Sequence, residues 1–251
     1  MQQDSQGSYA EVNGLSMYYE IHGSGRPLVL LHGAFGVVEG WSGILPTLVR
    51  THQVILVELQ GHGRTGDIDR PLSLVQMADD VAALLGQLQI TDTDVFGYSM
   101  GGGVALALAI QHPALVRKLA ILGSGAGAAK DTREPETLRQ FQSMTPETFH
   151  FPQVKDPYTR VAPDPSKWPV LVSKILQHVA DFQGFAMQDV RSIQAQTLIM
   201  QGDHDGIRPE HAVEMFRNIP HAQLAIFPDS DHFLLFTSPE KVLAILTPFL
   251  L

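Results

Sequence analysis

The stretch DVFGYSMGGGVALALAI, Asp94 to Ile110, sets one serine, Ser99, among four glycines between an apolar β-forming run and an alanine- and leucine-rich run. Glycine inside a regular element costs about 0.5–1 kcal/mol against alanine, so Gly97, Gly101, Gly102 and Gly103 mark a place that needs backbone room. Gly97 to Gly101 read G-x-S-x-G, directly after a predicted strand and before a predicted helix, which is the setting of a nucleophile elbow. In that sharp turn the positions two before and two after the serine must be almost free of side chain. The serine then stands above the sheet edge at a helix N-terminus, where unpaired N–H groups and the positive dipole end face it. Gly102 and Gly103 fall outside the pattern and are expected to let the helix pack closely on a neighbouring strand.

Outward from this turn, strand-like and helix-like runs alternate. AEVNGLSMYYEIHGSG alternates on both sides of Asn13-Gly14, a hairpin signal. Pro27–Gly33 and Gln53–Leu59 are short, nearly all-apolar runs, as in strands covered on both faces. Between them WSGILPTLVR carries a helix. Ser73–Ile90 has apolar residues at helical spacing with Ser73 as N-cap. After the elbow come a strand at Arg117–Ser124, another at Ala195–Gly202, a helix at about 209–218, a strand at Ala222–Asp229 and a last helix from near Ser238. Such alternation predicts an α/β fold with a mainly parallel, doubly wound sheet and an N-terminal antiparallel hairpin.

One segment departs from the alternation. From about Gly125 to Val190 no β run is found, while helical patterns, prolines and bulky apolar residues including Phe141, Phe149, Phe151, Phe182 and Phe185 are frequent. That is too long for a simple loop. The expected organisation is a core of residues 1–124 and 191–251 with an inserted helical cap at 125–190; helices packed on the sheet edge are the plainer alternative.

Composition narrows the function classes. Hydrophobic residues make up 44% and charged residues 17%, a globular balance. The net charge of −9 without a basic run argues against nucleic acid or an anionic membrane as partner. The chain has no cysteine, which excludes disulfides, thiolate nucleophiles and cysteine-bound metals. Histidines lack paired ligand spacing, so no metal and no cofactor is expected. MQQDSQGSYA at the N-terminus lacks the apolar core of a secretion signal, an expectation of a cytoplasmic protein or of one whose leader has been removed. The longest uncharged run, Val95 to Pro113, fits a buried strand and helix better than a membrane span.

A serine hydroxyl needs a base within hydrogen-bond reach. His232 lies between the last strand and the last helix, where the base of a Ser…acid…His order belongs. His221 precedes that strand, at the opposite end of a parallel sheet from the serine, and His211 reads as an ordinary helix position. The acid that orients the imidazole has two candidates in MQGDHDGIRP: Asp203, placed to satisfy turn N–H groups, and Asp205, further into the loop and better placed to reach across. Asp229 and Asp231 read as solvated charges. An oxyanion hole needs two converging N–H donors; Met100 supplies one, and Ala34 in LHGAFG is the expected second. His32 reads as a structural hydrogen-bonder. Phe35, Trp41 and Phe233 flank the motifs and either line the mouth or pack the core. With Met144 and Trp168 of the cap they form the expected substrate-binding set.

Taken together, HGAFG, QGHGRT, GYSMGG, GDHDGIRP and SDHF…SPE resemble the α/β-hydrolase fold superfamily, specifically its cap-bearing serine hydrolases, from Tyr9 onward. The resemblance implies Ser99 as nucleophile, Asp205 as the acid, His232 as the base, and Ala34 and Met100 at the oxyanion positions. Two positions depart from the pattern: Gln60 stands where arginine often precedes G-H-G, and Asp231 where glycine usually precedes the histidine. Serine at the elbow argues against haloalkane dehalogenases and epoxide hydrolases, which use aspartate there. The first expectation is a carboxylic ester hydrolase for small or medium apolar acyl esters or lactones. The alternative is a carbon–carbon bond hydrolase of a dienoate or β-diketone, whose substrate carboxylate calls for arginine; Arg133, Arg139, Arg160 and Arg191 lie in or beside the cap. A non-catalytic ligand-binding relative is the third reading.

Overall fold

The computed structural model describes residues 7–251, so residues 1–6 of the polar N-terminal stretch lie outside the described residues. Eight strands form one sheet: β1 (Ser8–Val12), β2 (Leu15–Gly23), β3 (Arg26–Leu31), β4 (His52–Val57), β5 (Thr93–Tyr98), β6 (Val116–Leu122), β7 (Gln196–Gly202) and β8 (Ala222–Phe227). Their order is β1-β2-β4-β3-β5-β6-β7-β8. The first two strands are antiparallel to each other and β2 to β4; every later pairing is parallel. Asn13 and Gly14 turn the hairpin with φ of 49° and 80°, the left-handed pair that a two-residue loop between twisted strands requires.

From β3 the chain moves to β4 on one side and returns to β5 on the other. The crevice outside the carboxyl ends of β3 and β5 is therefore the topological switch point, where open α/β sheets bind ligands. Both HGAFG and GYSMG emerge there.

The helices are α1 (Leu45–Leu48), α2 (Leu74–Gln87), α3 (Met100–Gln111), α4 (Ala129–Thr132), α5 (Pro135–Ser143), α6 (Pro152–Val161), α7 (Trp168–Asp181), α8 (Met187–Arg191), α9 (Pro209–Asn218), α10 (Leu234–Thr237) and α11 (Pro239–Leu250). Ser73 caps α2 by accepting from the Gln76 N–H at 3.4 Å. The stretch read as one helix before β4 is a 3-10 turn at Val38–Gly43 followed by the short α1. Residues Gly101 to Ala109 of α3 are all buried, as expected of a helix that is apolar on every side. No helix among the described residues is long and apolar enough to cross a membrane.

Each face of the sheet carries its own apolar cluster. One joins β-strand side chains to α2, α3 and part of the 125–190 segment. The other lies between the sheet, the Val38–Gly43 turn and α11. Trp41 belongs to this second cluster, 2% exposed and edge-on to Phe96 at 5.6 Å. It does not line the mouth: its indole is buried in the cluster between the sheet, its own turn and α11. Trp41→Ala is expected to cost about 3–5 kcal/mol in denaturant unfolding, as for other buried aromatics, with no change in the KM of any substrate.

The segment from 125 to 190 is helical, α4 to α8. Its only β features among the described residues are two isolated antiparallel bridges, Gly127 with Gly184 and Arg133 with Ile207. The first closes the neck, where Phe185 N also donates to Ala126 O at 2.8 Å. His211 fastens this neck from α9: its buried ring accepts from the Ala126 and Gly127 N–H groups at 3.0 and 3.3 Å, while Nδ1 meets Glu214 at 2.9 Å. An ordinary helix position it is not. On the other side Lys174 of α7 reaches Asp67 Oδ2 at 2.6 Å and the carbonyls of Ile68 and Arg70 at 2.9 and 2.8 Å. Gln60 braces that same loop, donating to Asp67 at 2.8 Å and accepting from Arg70 Nε at 2.6 Å.

Candidate active site

Ser99 sits at the tip of β5 with φ 52° and ψ −119°, a strained backbone that a β-strand running straight into a helix forces on its corner residue. The glycines on either side are a steric requirement. A Cβ on Gly101 would lie 2.1 Å from Leu31 O, and one on Gly97 would lie 2.3 Å from Gly101 O. Gly102 approaches Ser124, two residues past the end of β6, whereas a Cβ on Gly103 would meet Leu74 at 2.7 Å. Gly103 thus serves the contact of α3 with α2, a helix, and not with a strand.

His232 and Asp205 converge on this corner from the loops after β8 and β7. Asp205 is buried, with its carboxylate oxygens 3.0 and 3.1 Å from His232 Nδ1. Its Oδ1 also accepts from Ile207 N at 3.0 Å, which holds the carboxylate plane. A carboxylate only accepts, so Nδ1 carries the proton and Nε2 is left as acceptor. Ser99 Oγ lies 3.0 Å from that Nε2. The three groups form an in-line relay able to remove the serine proton as the oxygen attacks.

The other loop acids are occupied elsewhere. Asp203 accepts from Ser230 N at 3.0 Å, and this backbone donor holds its carboxyl below the usual range. Asp231 accepts from Phe233 N at 2.9 Å, so a side chain at this position is used to shape the turn. Gly123 explains how the relay fits: at φ 59° it passes close enough that a Cβ would lie 3.0 Å from Asp205 Oδ2 and 3.1 Å from His232 Nδ1.

The loop after β3 forms a turn closed by Gly36 N to Gly33 O at 3.0 Å. Ala34 and Phe35 are its two central residues, and Phe35 takes φ 65°. His32 secures the turn, bonding Gly33 O through Nδ1 at 2.8 Å and accepting from Leu59 N at 3.1 Å; burial pushes its pKa down to about 4. It is a neutral structural group. Met100 occupies the first turn of α3, where backbone N–H groups have no intrahelical acceptor.

The left-handed Phe35 aims its ring at the 125–190 segment, 4.6 Å from Phe149 and 5.2 Å from Trp168. Phe35 and Trp168 are both buried in this aromatic contact, while Met144 is partly buried against the larger core cluster to which both belong. Phe233 stands 53% exposed, edge-on to the His232 ring at 5.9 Å. Tyr98, which the motif leaves unspecified, donates its hydroxyl to His232 O at 2.9 Å. No local signal announces that bond, since its partners are 134 residues apart. His211 had one, the i,i+3 spacing to Glu214. No cluster of three or more His, Asp or Glu among the described residues is arranged to hold a metal ion.

Residues 28–245 match the alpha/beta hydrolase family. The chain belongs to this family. Among its relatives is an Azorhizobium caulinodans protein named as a carbamate hydrolase, 38% identical over 120 residues, which are 48% of this chain and 45% of that protein. The chain thus spans less than half the length of that relative. An AB hydrolase superfamily protein of Bacillus subtilis is 28% identical over 94% of this chain and 95% of its own. The solved structure of Est816, an N-acyl homoserine lactone degrading enzyme, superposes with a TM-score of 0.77 at 27% identity, over 96% of this chain and 99% of that one. The sheet order, the elbow at the switch point and the family match agree on the α/β-hydrolase fold.

Proposed function

We propose that the chain is a serine hydrolase of carboxylic esters and lactones that works through an acyl-enzyme on Ser99. The observation that carries this reading is the relay itself, Ser99 Oγ to His232 Nε2 at 3.0 Å and His232 Nδ1 to Asp205 at 3.0 Å. Ser99 Oγ attacks the acyl carbonyl as His232 takes its proton, and Asp205 stabilises the imidazolium. The negative oxygen that forms is received by the N–H groups of Ala34 and Met100, one from each loop at the switch point. His232 then gives its proton to the departing alcohol. Water attacks the acyl group, His232 accepts the water proton, and its return to Ser99 releases the acid.

Residues 125–190 act as the cap over this centre. Phe35 and Trp168 face each other across the seam between cap and core, an apolar surface for an acyl chain, Met144 packs against the same core cluster, and Phe233 stands exposed beside His232. A lactone is the cyclic case of the same chemistry, and the likeness to an N-acyl homoserine lactone degrading enzyme supports including it.

The test is a substrate panel of para-nitrophenyl esters, lactones and a dienoate ring-fission product, run beside fluorophosphonate labelling. Ester or lactone turnover together with an adduct mapped to Ser99 is the expected result. Carbon–carbon cleavage with negligible ester turnover overturns the ester assignment. A folded protein that gives neither turnover nor adduct overturns catalysis altogether.

A further inference from the structure

The four arginines in or beside the cap differ sharply in setting. Arg139, Arg160 and Arg191 are exposed, and Arg191 donates to Asn218 at 2.9 Å. Arg133 is partly buried. Its guanidinium lies 4.6 Å over the Phe141 ring of α5, but among the described residues it has no hydrogen bond and no ion pair. The neighbouring acids Asp131, Glu134 and Glu136 make no pair with it. A guanidinium presents five donors in a fixed fork, and taking it from water without an acceptor is unfavourable. Burial accordingly pushes its pKa below the ordinary value, and the charge that pulls it back up is Asp205.

The backbone places this residue beside the loop that bears Asp205. Residues 132–134 pair with the loop that bears the acid: Glu134 N donates to Gly206 O at 2.9 Å, Arg208 N donates to Thr132 O at 2.8 Å, and Arg133 bridges Ile207. Ile207 N is itself the donor that holds Asp205 Oδ1. Thus the backbone of a recessed, unpaired arginine runs one strand spacing from the loop that orients His232. Its planar fork matches a carboxylate, which it can grip with two parallel hydrogen bonds.

We propose that Arg133 is the anion-recognising residue of this site and that the preferred substrates are acyl compounds carrying a free carboxylate. The proposal rests on the reading of Ser99 as nucleophile. Arg133 binds the distal carboxylate while the scissile carbonyl meets Ser99, and the Phe141 ring keeps the guanidinium in place when no substrate is bound.

Two chromogenic esters of equal chain length test this, the para-nitrophenyl hemiester of glutarate and para-nitrophenyl valerate, which differ by a terminal carboxylate in place of a methyl. The wild type is expected to prefer the hemiester in kcat/KM. Arg133→Met is expected to reduce that preference by about 10- to 100-fold, the size of a lost charge-assisted pair, mainly through KM. Arg133→Lys, which keeps the charge without the fork, is expected to recover part of it. An equal fall for both esters overturns the proposal, because it shows Arg133 supporting the Asp205 loop. An unchanged ratio overturns it as well. Calorimetric binding of glutarate to Ser99→Ala keeps the question separate from turnover. Binding that Arg133→Met weakens at least tenfold supports the subsite even if no ester is hydrolysed, whereas absence of binding overturns it.

Discussion

Ser99→Ala is expected to lower ester turnover by about 10³- to 10⁶-fold, the range seen when the nucleophile of such a relay is removed, and to abolish fluorophosphonate labelling. The residual rate reflects what binding and the two N–H donors accomplish without a covalent step. Thermal unfolding is expected to shift little. The substitution opens no cavity, and the strained φ of 52° is imposed by the strand-to-helix corner whichever small residue occupies it. Full activity in a folded Ser99→Ala protein would refute the nucleophile assignment. Loss of activity together with loss of the folded baseline would say nothing about chemistry, so circular dichroism accompanies the assay.

Asp205→Asn is expected to lower kcat by about 10⁴-fold with little change in KM. An asparagine amide can donate to Nδ1, which moves the imidazole proton to Nε2 and leaves Ser99 without an acceptor. Asp203→Asn is the matched control. Asp203 is two residues away, but it bonds Ser230 N and does not touch the histidine. Its amide oxygen can still accept that bond, so kcat is expected to stay close to wild type. If Asp203→Asn is the damaging change, the acid has been misassigned. The comparison also separates the two readings of GDHD that residue order leaves open, because both acids follow the serine and precede the histidine.

Much of the molecule is written in short-range signals. Asn13-Gly14 turns the first hairpin because its left-handed φ values suit those residues. The helix Pro209–Asn218 begins on a proline preset for the first helical position. Gly97 and Gly101 mark the elbow because a methyl at either would strike backbone. Each is a constraint between residues a few positions apart. The misreadings have a different origin. Trp41 lies close to the HGAFG turn in sequence, yet a 3-10 turn carries it to the opposite face of the sheet. His211 reads as an ordinary helical residue, yet it holds the start of the 125–190 segment through amides 84 and 85 residues away. Gly103 was expected against a strand and meets Leu74 of a helix. In all three, the partner is chosen by packing between distant segments, on which local periodicity is silent.

Residue order alone therefore determined the alternating architecture, the elbow, and the order of serine, acid and histidine, since these follow from steric limits and hydrogen-bond requirements acting along the chain. Only the tertiary structure decided that Asp205 and not Asp203 faces His232, that Tyr98 ties down the histidine loop, and that Arg133, unlike Arg139, Arg160 and Arg191, is recessed without a hydrogen bond or ion pair to its guanidinium among the described residues. Those outcomes depend on the meeting of loops from β5, β7 and β8 at one end of the sheet. The energies involved are contacts between segments more than a hundred residues apart in some cases, as with Ser99 and His232 at 133, and no local stretch of chain encodes such a meeting by itself.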